Sequence, residues 1–76
     1  MKHELAIMDH TGDTKLLWDS ANKDEVDNAR ETFNRLTKKG YLAYAVKGKN
    51  GDRGEQVKSF DPEAERIILT PPLVGG

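Results

Sequence analysis

The segment from Asn22 to Gly40 carries the strongest helical period in the chain, because Val26, Ala29, Phe33 and Leu36 recur three and four residues apart. Both ends are marked. Asn22 suits an N-cap, with Glu25 three residues on as in a capping box. Asp24, Glu25 and Asp27 favour the positive end of the helix dipole, and Lys38-Lys39-Gly40 suits the C-terminus. Glu31 and Arg35 are spaced as an i,i+4 pair on the wet side. The helix has one apolar stripe, so it covers something on one side only.

What flanks it reads as strand. His3 to Met8 and Thr14 to Trp18 form a hairpin across the polar, glycine-containing turn Asp9-His10-Thr11-Gly12-Asp13. Tyr41 to Val46 and Glu55 to Phe60 form a second hairpin, with a Gly-rich connection from Lys47 to Gly54 that includes Asn50-Gly51. Asp61-Pro62-Glu63-Ala64 sets a capping residue before a proline, which predicts one helical turn. Arg66 to Thr70 holds Ile67, Ile68 and Leu69 in a row, as in a central strand covered on both faces, and Pro71-Pro72 ends it. The expected class is α+β, in the order ββαβ(β)β with one helix packed across a mixed sheet. Residues 1–70 make one domain and residues 71–76 an extended, flexible tail.

Composition narrows the function. A chain of 76 residues buries only about 60% of its unfolded surface, which leaves a thin core and little room for an elaborate catalytic cavity. Twelve basic side chains against 13 acidic ones give a net charge of −1, so no global field draws in nucleic acid or an anionic membrane. There are no cysteines, which excludes a disulfide scaffold, a thiolate zinc site and a cysteine nucleophile. The apolar run Leu5 to Met8 is far shorter than a signal-peptide core or a membrane span. The expectation is a monomeric cytoplasmic protein with neither nucleic acid nor membrane as partner.

The chemistry-bearing residues do not assemble into a site. His3 and His10 with Asp9 and Asp13 match no metal-ligand spacing, and a solvated strand end plus a polar turn accounts for them. Gly48, Gly51 and Gly54 among Lys47, Lys49 and Arg53 lack the helix start and the lysine–hydroxyl pattern of a phosphate loop. Ser20 and Ser59 stand in no strained elbow, and Glu63 and Glu65 are solubilising charge. The reading is therefore no metal, no cofactor and no catalytic residue: the protein is not an enzyme.

Alternation along the strands divides the apolar residues between two faces. With Leu5, Ile7, Leu16, Trp18, Leu42, Tyr44, Val46, Ile67 and Leu69 toward the helix, Met8, Leu17, Ala43, Ala45 and Ile68 gather on the opposite face as a candidate partner-binding surface. Leu73 and Val74 extend it into the tail.

The order of elements over the whole chain, its length and the closing Gly75-Gly76 resemble ubiquitin and the ubiquitin-like proteins, including bacterial forms and the sulfur carriers of thiamin and molybdopterin synthesis. The resemblance implies a β-grasp fold. It further implies that the Gly76 carboxylate is adenylated by a partner enzyme and then either conjugated to an acceptor protein or converted to a thiocarboxylate. A non-covalent adaptor working through the open sheet face is the alternative. Glycine suits such an end because no Cβ obstructs a narrow channel. Six residues from Pro71 onward reach roughly 20 Å when extended. Ubiquitin-type tails carry basic residues before the glycines, whereas Leu73-Val74 here is apolar and Pro71-Pro72 is unusual.

Overall fold

The helix forms where its caps place it. In the computed structural model, which describes residues 2–9, 12–47 and 54–72, α1 spans Lys23–Lys38. The Asn22 side chain accepts the Glu25 N–H at 3.2 Å. The Glu25 carboxylate accepts from the Asp19 N–H at 2.9 Å instead of closing the box on Asn22, so the cap also ties the helix to the end of the preceding strand. At the other end Gly40 adopts φ +103, with its N–H on the Thr37 carbonyl and the Tyr41 N–H on the Leu36 carbonyl, a Schellman closure. Among the described residues the helix-surface ion pair is Asp27–Arg30 at 3.2 Å; Glu31 and Arg35 form none.

The strands are β1 (Lys2–Asp9), β2 (Gly12–Asp19), β3 (Leu42–Val46), β4 (Glu55–Val57) and β5 (Arg66–Thr70). They make one five-stranded sheet in the order β2-β1-β5-β3-β4. β1 and β5 run parallel at its centre, and the other three pairings are antiparallel. The molecule is thus a small α+β domain with one helix packed on a mixed sheet, an arrangement compatible with a β-grasp. The segment Asp61–Ala64 closes a single hydrogen-bonded turn, the Ala64 N–H on the Asp61 carbonyl at 3.1 Å, and does not lengthen into a helix.

Between helix and sheet, Leu5, Trp18, Phe33, Ile67 and Leu69 are fully buried, with Ile7, Leu16, Val26, Leu36, Tyr41, Val57 and Phe60 packed around them. The inward assignment of Leu5, Ile7, Leu16, Trp18, Ile67 and Leu69 therefore matches the structure. β3 is the reverse of the expectation: Ala43 and Ala45 face the helix at 1% and 4% exposure, opposite Leu69 and Ile67, and Leu42, Tyr44 and Val46 lie on the other face. Alternation permits either choice in Leu-Ala-Tyr-Ala-Val, since both sets are apolar. In the fold Ala43 and Ala45 join the buried cluster with Phe33, Ile67 and Leu69, so the small side chains of β3 go inward and the large ones outward.

Candidate functional site

Registry brings the open face together row by row. Ala6, Ile68 and Tyr44 stand side by side on β1, β5 and β3, with Lys15 and Gln56 at the two ends of the row. In the next row toward the end of β5, Leu42 is paired with Thr70, and Met8 of β1 occupies the same face. On the other side Leu17, Glu4, Arg66 and Val46 form a row in which the Glu4 carboxylate and the Arg66 guanidinium pair at 3.1 Å. Among the described residues the exposed large apolar side chains are Leu17 (53%), Met8 (42%) and Leu42 (39%), all on this face.

Of the residues expected to form a partner surface, Met8, Leu17 and Ile68 are on the open face, and Ala43 and Ala45 are not, because they are core. Leu42, Tyr44 and Val46 take their place. The signal that would have found them is the alternation of small and large residues in β3 beside a helix whose own stripe contains phenylalanine and leucine. The tail residues Leu73, Val74, Gly75 and Gly76 lie outside the described residues.

β5 sits between β1 and β3, so the chain leaves the sheet from its centre, at the end where Met8 and Leu42 are exposed. Pro71 is half-buried and Pro72 exposed. A Cβ added to Gly40 would meet the Pro72 side chain at 3.4 Å, so Pro72 lies against the C-terminus of α1.

His3 is buried at 4% exposure, contrary to the solvated strand end expected of it. Its ring stacks on Trp18 at 5.1 Å, and its Nδ1 lies 2.7 Å from the Ala64 carbonyl. A carbonyl only accepts, so in the neutral ring Nδ1 carries the proton and Nε2 is left as a buried acceptor without a partner among the described residues. Trp18 Nε1 donates to the Pro62 carbonyl at 3.2 Å, and Phe60 covers Trp18 from outside at 5.1 Å. Residues 58–65 thus act as a strap across the bottom of the core. Lys47 clips it with an ion pair to Asp61 at 2.9 Å. That hydrogen bond, with a second from the Glu63 N–H, holds the Asp61 carboxyl below the usual carboxylate range and raises the Lys47 ammonium above its own. Asp19 is likewise held low, chiefly by the Ala21 N–H.

Among the described residues no cluster of His, Asp and Glu could hold a metal ion, and no helix is long and apolar enough to cross a membrane. No protein-family model, curated protein or solved structure matches the chain. The functional reading therefore rests on the arrangement of its own residues.

Proposed function

We propose that this protein is a ubiquitin-like modifier of β-grasp fold whose Gly76 carboxylate is activated by an ATP-dependent adenylating enzyme and transferred to an acceptor protein. The observation that carries the reading is the central position of β5: it ends at Thr70 beside an exposed apolar face, and four residues separate it from the diglycine. In the reaction the carboxylate oxygen attacks the α-phosphorus of ATP, pyrophosphate leaves, and the acyl-adenylate forms. An enzyme thiolate then displaces AMP to give a thioester, and an acceptor lysine displaces the thiolate to leave an amide. The protein is the substrate throughout. Its residues position the end and supply the recognition face: Met8, Leu17, Leu42, Ile68 and Tyr44 offer apolar area, and the Glu4–Arg66 pair offers charge of both signs.

The thiocarboxylate route shares the adenylation step and differs only in the attacking group, a sulfur donor in place of the thiolate and lysine. The reading requires Gly76 as a free α-carboxylate, which intact mass of the protein recovered from the cells that make it reads directly. Mass spectrometry of its adducts then decides the branch. A lysine isopeptide at Gly76 supports the modifier. A sulfur-for-oxygen mass change assigns the carrier. Partner capture that survives deletion of Gly75-Gly76, with neither product formed, overturns both in favour of the adaptor.

A further inference from the structure

β2 is an outer strand of the sheet: β1 runs along one of its edges, and among the described residues no strand runs along the other. In an antiparallel pair, alternate residues turn their backbone groups toward the neighbouring strand and away from it. The Asp19 N–H bonds the Glu25 carboxylate, so the odd-numbered residues of β2 are the ones that turn outward. At Asp19 that edge is already engaged, because its carbonyl also accepts the Asn22 N–H at 2.9 Å. Further along, Asp13, Lys15 and Leu17 turn their backbone groups to the edge, and their side chains, with that of Thr14, are exposed. Neither Asp13 nor Lys15 has an ion-pair partner among the described residues.

We propose that this edge is a dimer interface, where β2 of a second copy lies antiparallel across a two-fold axis at Thr14 and continues the sheet into the second molecule. Charge sets the register. With Thr14 opposite the partner's Thr14, Asp13 faces the partner's Lys15 and Lys15 faces the partner's Asp13. Each of these opposite-charge pairs lies directly across the seam and exchanges both backbone hydrogen bonds. Moving the axis one residue toward Gly12 sets Asp13 against the partner's Asp13; moving it one residue the other way sets Lys15 against the partner's Lys15. Centring on Leu16 opposes Asp13 to the partner's Asp19, and centring on Leu17 calls on the Asp19 backbone that Glu25 and Asn22 hold. A lysine on an outer strand ordinarily guards against pairing. Here the guard acts against the neighbouring registers and is answered by an aspartate in one. On the helix side Leu16 falls opposite the partner's Gly12, where an added Cβ would meet nothing within 4 Å, so the leucine has room. Such a pairing uses the same strand of both copies and closes on itself. It replaces the monomer expected from composition, and it needs neither Gly76 nor its activation.

The test uses the intact protein. Sedimentation equilibrium should show a monomer–dimer equilibrium that moves toward dimer as concentration rises, and a weak one, because pairing a single strand edge buries little area. Hydrogen exchange at the Asp13 and Lys15 amides should slow as concentration rises. Asp13→Lys and Lys15→Asp should each raise the dissociation constant about tenfold, since either change turns both opposite-charge pairs into like-charge ones. The double variant Asp13→Lys/Lys15→Asp restores both pairs in reverse and should dimerise like the unaltered protein, a recovery that two independent losses would not give. Thermal unfolding of the dilute variants should match that of the unaltered protein, since both positions are exposed. A monomer at every concentration, a dimer that the single variants leave intact, or a double variant no better than the singles would overturn the proposal. So would concentration-dependent amide shifts centred on Met8, Leu42 and Ile68, which would put the contact on the open face. Protection of the Lys15 amide that does not vary with concentration would overturn it too, because a segment of the same chain would then cover the edge.

Discussion

The two halves of the sheet are built on different terms. Under β1 and β2, Trp18 is enclosed by His3, Phe60 and the carbonyl of Pro62, and Phe33 closes the layer from above through its edge contact with Phe60 at 5.8 Å. Under β3 and β4 the sheet offers two alanines and a partly buried valine, and the helix stands off enough to leave a groove. One half is filled by aromatic rings, two of which, His3 and Trp18, also hydrogen-bond to carbonyls of the strap; the other is lined by small side chains. The largest fully buried side chains, Trp18 and Phe33, therefore lie with the filled half.

The sharpest way to break that comparison is to remove its anchor. Trp18→Ala should cost about 3–5 kcal/mol, enough to leave a domain of this size largely unfolded at 25 °C by circular dichroism. Ala45→Leu comes next. With its methyl in the buried cluster beside Ile67, the larger side chain overfills the core and should cost about 1–3 kcal/mol in urea unfolding, whereas a position on the open face would tolerate it. Val57→Ala, on the looser side, should cost about 1 kcal/mol or less, because the site is half-exposed and opens into the groove. A cost equal to that of Trp18→Ala would show that the two halves are equally packed.

The smallest effect concerns the clip between β3 and the strap. The folded Asp61 carboxyl titrates below its unfolded value of about 3.9, so its contribution is present above that pH and is lost as pH falls through the lower folded value. Asp61→Asn should therefore make the acid limb of the thermal-stability profile shallower below pH ~4 and leave its shape near neutrality unchanged. An unaltered acid limb would mean that Lys47 gives the strap no support.

How much of this was legible beforehand depended on range. The helix, its N-cap and its glycine stop are local, and they were readable because Asn22, Glu25 and Gly40 act within one turn of themselves. The strands were readable for the same reason, and the second hairpin proved shorter than its pattern, with β4 closing at Val57. The orientation of β3 was not readable, because Leu-Ala-Tyr-Ala-Val satisfies a period of two either way, and only the folded sheet places Ala43 and Ala45 in the buried cluster. The candidate surface therefore gained Leu42, Tyr44 and Val46 and lost Ala43 and Ala45. The burial of His3 depends on Ala64, 61 residues away, and no spacing rule reaches that far.

The parallel pairing of β1 with β5 sets a timetable. Leu5 cannot meet Ile67 until residue 67 has left the ribosome, so the first hairpin and the helix emerge before the strand that covers their apolar sides. A nascent chain stalled before Arg66 would lack the central strand and should remain a target for chaperones and proteases.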